Sequence, residues 1–131
     1  VISTLHTNGA VKTLSRILEF FPQAQHRSLL GRLSEILMFI LSQGLIPTET
    51  GRILNYEFLQ NTSSAVRSGI ASYDGAAKSL EDAIRHSGNI QWDANLRNLM
   101  NAGKISYQAF QMNRMNEEEG EDLLFIPKKA G

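Results

Sequence analysis

Val1-Ile2-Ser3-Thr4-Leu5-His6-Thr7-Asn8-Gly9-Ala10-Val11-Lys12-Thr13-Leu14-Ser15-Arg16-Ile17 opens the chain, and its reading decides the fold. Residues 1–5 are mostly β-branched or apolar, the composition of a buried strand. His6-Thr7-Asn8-Gly9 reads as a tight turn, with Thr7 or Asn8 placed to cap the following helix. In that helix Ala10, Leu14, Ile17, Leu18 and Phe21 recur at helical spacing as one apolar face, and Lys12, Arg16 and Glu19 lie off it. Pro22 ends this helix and opens the next. In open α/β sheets, ligands sit beyond the carboxyl ends of strands, beside helix N-termini whose free N–H groups attract anions. His6 in that place is able to donate a hydrogen bond to a phosphate or to sense its charge. A turn histidine beside a capping asparagine is the plainer reading of the same residues.

Working outward, residues 23–43 give the strongest helical pattern. Leu29, Leu30, Leu33, Ile36, Leu37, Ile40 and Leu41 form the stripe, and Met38 and Phe39 make its last turns apolar nearly all round, so that end is expected to be deeply buried. An earlier stop, with residues 41–46 forming a strand, is the alternative. Pro47-Thr48-Glu49-Thr50-Gly51 is a turn. Residues 52–60 then alternate, with Leu54, Tyr56 and Phe58 on the apolar face and Asn55 and Glu57 on the other, so the pair reads as a hairpin. Beyond Thr62 the pattern changes to short helices. Residues 63–70 form one. Ala76, Ala77, Leu80, Ala83 and Ile84 stripe the second, and Trp92, Leu96, Leu99 and Met100 the third, closed by Gly103. Ser106 caps a fourth, carrying Tyr107 and Phe110. From Asn116 onward a mobile tail is expected.

A chain of 131 residues that is 42% hydrophobic suits one compact domain. It holds no cysteine, which excludes a disulfide framework, thiolate chemistry and thiolate metal sites. The longest apolar run, residues 36–41, is six residues, against about 20 for a bilayer span. No basic flank precedes an apolar stretch at the start, so no signal peptide is read, and a cytoplasmic chain is expected. The sequence opens inside a strand without an initiator Met and so reads as cut from a larger protein. The 13 basic and 13 acidic residues balance, yet residues 1–115 carry 11 basic against 8 acidic, because the acids concentrate at 117–122. That excess is slight, and no basic recognition helix is present, so nucleic acid is not an expected partner. His6, His26 and His86 lack metal-ligand spacing. Glu81 and Asp82 are adjacent, hence on different helix faces, and are read as solvated. Gly103-Lys104 imitates a phosphate loop, but Asn98 stands where its first Gly belongs and Ile105 follows the Lys.

The opening stretch resembles the histidine box of the secretion and type IV pilus ATPases: a strand, Thr-Leu-His-Thr-Asn, small residues, then a helix carrying an Arg, with Phe21-Pro22 at the place of the family's Phe-Pro pair. Ser42-Gln43-Gly44-Leu45-Ile46-Pro47 resembles the strand after the long helix. Glu57-Phe58-Leu59-Gln60-Asn61-Thr62 resembles the next strand, and Ala65-Val66-Arg67 stands at the family's Ala-Ile-Arg. Ala102-Gly103-Lys104-Ile105-Ser106 matches its last helix connection. Two serines, Ser63 and Ser64, replace a Pro, and Gly69 replaces a Leu-like residue. The Pro47-Thr48 stretch looks more like the conjugation and type IVB secretion branch than the retraction branch.

The resemblance implies an α+β fragment of an α/β RecA-like P-loop ATPase, made of terminal strands of the core sheet and a C-terminal helical domain. Residues 1–61 would belong to the core, 62–115 to the helical domain and 116–131 to an acidic flexible tail. It implies a homo-hexameric motor that couples ATP hydrolysis, with Mg, to substrate transport or pilus dynamics at an inner-membrane platform or secretion complex. His6 and Thr7 would contact the nucleotide site, Arg16 would support the same surface, and Arg67 would act at the subunit interface. No G-x-x-x-x-G-K-[ST] loop occurs in these residues, so the chain alone is expected to be inactive and to hold no nucleotide tightly. A non-catalytic interaction or regulatory module of such a machine is the alternative.

Overall fold

Two ten-residue strands, β1 (Phe39–Thr48) and β2 (Gly51–Gln60), pair antiparallel from Phe39↔Gln60 to Thr48↔Gly51, with Glu49 and Thr50 as the two-residue loop. Six helices accompany this hairpin in a computed structural model that describes residues 1–75 and 77–115, the Ala77 side chain excepted. They are α1 (Ala10–Glu19), α2 (His26–Ile36), α3 (Ser64–Ala71), α4 (Ala77–His86), α5 (Trp92–Asn101) and α6 (Tyr107–Asn113), with a single 3-10 turn at Gln23–Gln25 leading into α2. The chain is therefore an α+β fragment with one two-stranded sheet among the described residues.

The hairpin's inner face carries Ile40, Ser42, Gly44 and Ile46 opposite Leu59, Glu57, Asn55 and Ile53. α1, α5 and α6 pack on it. One buried cluster joins Leu14 and Leu18 of α1, Leu30 of α2, Ile40 and Leu59 of the hairpin, Val66 and Ile70 of α3, and Leu80 and Ile84 of α4. A second joins Ile46 to Trp92, Leu96 and Met100 of α5, and to Ile105 and Phe110. Both clusters draw on residues from either side of position 61. Gly44 makes the second cluster possible, because a Cβ there would stand 2.7 Å from Cη2 of Trp92. Gly44→Ala is accordingly expected to cost about 1–3 kcal/mol by overpacking. A lowered urea midpoint with unchanged slope checks it.

The local signals in the C-terminal half behave as the sequence implies. Ser63 Oγ accepts the Val66 N–H at 3.2 Å and Ser106 Oγ accepts the Ala109 N–H at 3.0 Å, each an N-cap. α5 ends in a Schellman turn: Gly103, at φ 72°, donates to Met100 O and Lys104 donates to Leu99 O, both at 2.9 Å. Gly103-Lys104 is thus a helix terminator. Gly69 is buried, and its missing side chain lets α3 approach Leu80 of α4.

Four expectations need correction. Residues 1–5 form no strand, and Val1 and Ile2 are exposed; a lone extended segment with no paired neighbour has nowhere to place its backbone hydrogen bonds. The long helix stops at Ile36, because Leu37 leaves the helical region at φ −66°, ψ 124°. Ile36 and Met38, at 72% and 77% exposed, are not buried, and Phe39–Thr48 forms β1. A short apolar run fits strand as well as helix, and the strand wins. Phe21 is exposed and outside the α1 core face. The faces of β2 are reversed: Asn55 is fully buried and Glu57 points inward, while Leu54 lies outward at 49% exposed. With Leu41 at 53% and Leu45 at 58% on the same outer face, that side of the sheet is open and apolar. The acidic tail from Asn116 lies outside the described residues.

Candidate functional site

The turn expected to carry chemistry is held by groups far away in sequence. Neither Thr7 nor Asn8 caps α1; the N-cap is Gly9, at φ 94°, with no side-chain cap bond of its own. A side chain at Gly9 would be strained at that φ and would meet Met115 Sδ at 3.3 Å. The Gly9 N–H donates to Ser42 Oγ at 3.1 Å, and the Ala10 N–H donates to Glu57 Oε1 at 2.6 Å. Thr13 Oγ1 donates to Gly9 O at 2.8 Å, so Thr7 Oγ1, 2.8 Å away, is the donor to Thr13 Oγ1. The other oxygen of Glu57 accepts the Trp92 N–H, the start of α5, at 3.2 Å. The anion attracted to the N-terminus of α1 is thus the chain's own carboxylate.

The four residues singled out by sequence do not converge among the described residues. His6 is exposed. Thr7 is half-buried through its bond to Thr13. Arg16 is exposed on α1, where it pairs with Glu19 and lies 5.1 Å from the Phe20 ring centroid. Arg67 is exposed on α3. No hydrogen bond or ion pair among the described residues joins these four. Sequence reading missed Ser42, Glu57 and Asn55. Asn55 Nδ2 donates to Trp92 O at 3.2 Å, and its Oδ1 accepts from Asn95 Nδ2 at 2.9 Å. The available signal was the polar alternation of β2, which is equally the signature of a solvated face.

A cavity of about 490 Å³ opens between the 6–9 turn, α4 and α5. Cations Lys12, Arg85, Arg97 and Arg114 and carboxylates Glu57, Glu81 and Asp93 line it beside Trp92 and Phe110. Burial pushes the Glu81 carboxyl above its ordinary value, the nearby Glu57 charge adds to this, and Arg85 opposes it. A carboxyl raised in the folded state binds its proton more tightly there than when unfolded. Its contribution to stability is therefore present at low pH and lost as pH rises from the ordinary carboxylate value through the raised one. Glu81→Gln is expected to flatten that decline and raise Tm modestly at neutral pH; melting curves from pH 4 to 8 measure it. No cluster of three or more metal-ligating side chains occurs among the described residues, and none of their helices is long and apolar enough to cross a membrane.

No family model matches the chain. It is 33% identical over 121 residues to the twitching motility protein of Neisseria gonorrhoeae, covering 90% of this chain and 32% of that protein. Among solved structures, the pilus retraction motor PilT with bound ADP superposes with a TM-score of 0.73 at 30% identity, over 90% of this chain and 33% of that one. The Legionella pneumophila ATPase DotB superposes with a TM-score of 0.65 at 18% identity, over 82% of this chain and 29% of that one, a likeness of fold. The chain spans about a third of the length of each. The retraction motor thus shares more identity with it than the secretion ATPase does, although the Pro47-Thr48 stretch leaned toward the secretion branch.

Proposed function

Since the chain is a relative of the type IV pilus and secretion motor ATPases, over a stretch consistent with their C-terminal portion, we propose that it is the C-terminal part of such a motor. In this reading the whole protein is a cytoplasmic homo-hexamer, peripheral to the inner membrane. It couples hydrolysis of ATP with Mg to substrate transport or pilus dynamics at a membrane platform. Residues 1–61 complete its ATPase core, 62–115 form its helical domain and 116–131 an acidic tail. The observation that carries the reading is the superposition of nine-tenths of the chain, at 30% identity, on an ADP-bound retraction motor.

The described residues do not form a phosphate cradle of their own. The N–H groups of Gly9 and Ala10, at the entry to α1, are taken by Ser42 and Glu57, and Gly103-Lys104 closes a helix. The nucleotide and its metal are therefore held by a phosphate loop and carboxylates outside this chain. His6 and Thr7 approach from the 6–9 turn, Arg16 supports that surface and Arg67 acts between subunits. The open apolar face of the hairpin turns toward the rest of the core sheet. The reading frame upstream of Val1 tests this. A G-x-x-x-x-G-K-[ST] loop within roughly 200 residues, the scale of a further domain, is the expected result. A stop codon directly upstream would overturn the motor and leave a regulatory module.

A further inference from the structure

Glu57 binds two helix N-termini at once. Its Oε1 takes the first N–H of α1 and its Oε2 the first N–H of α5, and the residues bearing those N–H groups are 82 positions apart, Ala10 and Trp92. Ser42, directly opposite Glu57 in the hairpin register, holds the preceding N–H, that of Gly9. The 6–9 turn is thereby tied to a carboxylate whose other oxygen is tied to α5. Gly9 is buried at a φ open mainly to glycine, and Trp92 is buried against Gly44. A carboxylate between two N-terminal dipoles is stabilised by both, and withdrawing one N–H alters the charge presented to the other.

We infer that Glu57 is a positioning residue that couples the 6–9 turn to α5, so that a displacement of the turn is passed into the C-terminal helices. Its use in a motor rests on the function proposed above, in which His6 and Thr7 meet the nucleotide. The coupling itself is independent of that reading, and so is its test.

The test is nuclear magnetic resonance on this chain. Hydrogen exchange is read at the Ala10 and Trp92 amides in the wild type and in each variant. Glu57→Gln retains shape but offers a single acceptor, and it speeds hydrogen exchange at Ala10 or Trp92, and detectably at both, by about tenfold or more, as expected for losing a charge-assisted bond. The decisive arm is Ser42→Ala, which frees only the Gly9 N–H. Coupling requires that this also speeds exchange at Trp92, and that the effect on Trp92 vanishes in a Glu57→Ala background. A Ser42→Ala effect that stops at Ala10, or one on Trp92 that persists in the Glu57→Ala background, would overturn the inference and leave Glu57 as two independent caps. Ser42→Ala in the wild-type background needs no folded Glu57 variant, and unchanged exchange at Trp92 there overturns the inference by itself. Failure here leaves the His6 test of the motor reading intact, and failure of that test leaves the coupling standing.

Discussion

Trp92→Ala is expected to lower the melting temperature by more than about 10 °C and to bring the chain close to unfolding. The indole is 6% exposed and is the largest member of the second buried cluster, with Ile46, Leu96, Met100, Ile105 and Phe110 around it. Truncating a buried Trp costs about 3–5 kcal/mol, and a domain of this size has about 5–15 kcal/mol in all. Each kcal/mol moves Tm by several degrees, about 4–8 °C for small domains and about half that for larger ones. Two consequences add to the cavity. The indole Nε1–H donates to Asn113 O at 2.8 Å, so removing it frees the end of α6. The ring also fills the space that Gly44 leaves open on the hairpin. Met112→Ala is the control: Met112 is 76% exposed on α6 and should melt as wild type. Circular dichroism melts decide it, and a loss of under about 3 °C for Trp92→Ala would show that the α5–hairpin contact does not hold the fold.

The parts of this structure that were legible in the sequence are those whose causes are local. Ser106 reaches an N–H group three residues on, Gly103 closes its own helix, and the Trp92, Leu96, Met100 stripe lies within one helix. The break in the chain before α1 was legible for the same reason, and the structure shows it as a bend at Asn8 and Gly9. Its anchoring was not, because Ser42 and Glu57 arrive from 33 and 47 residues away. The inverted face of β2 has a related cause. Burial of Asn55 and Glu57 is tolerated only because each polar atom finds a partner, Trp92 O and Asn95 for one and two helix N-termini for the other. Alternation reveals the strand, whereas its orientation depends on partners that belong to other elements. The apolar residues Leu41, Leu45 and Leu54 then face outward, against the usual direction. A reading from this chain alone puts Leu41 and Leu54 on apolar core faces; the proposed remainder of the motor would give all three a neighbour.

His6→Ala, made in the intact ATP-hydrolysing protein proposed to carry this chain, is expected to cut turnover by about 10² to 10³ while leaving melting and assembly of the proposed hexamer unchanged. The stability half of that expectation follows from the structure. His6 is exposed and makes no hydrogen bond among the described residues, so truncation opens no cavity and orphans no partner. The turn itself stays in place, because Thr7, Gly9 and Ala10 are held by Thr13, Ser42 and Glu57 without help from the imidazole. The activity half depends on the proposed role. One preorganised donor aimed at charge that develops during reaction contributes about 10² to 10³ in rate, and a well-positioned turn is what makes such a donor preorganised. Thr7→Ala provides the contrast. It removes the hydroxyl that bonds Thr13 and so should loosen the turn as well as slow turnover, lowering Tm slightly where His6→Ala does not. Turnover by single-cycle and steady-state ATP assays, set beside melting curves of the same preparations, separates the outcomes. Normal turnover in His6→Ala would remove the histidine from the nucleotide site. A fall in Tm that precedes the loss of activity would make it a structural residue of the turn.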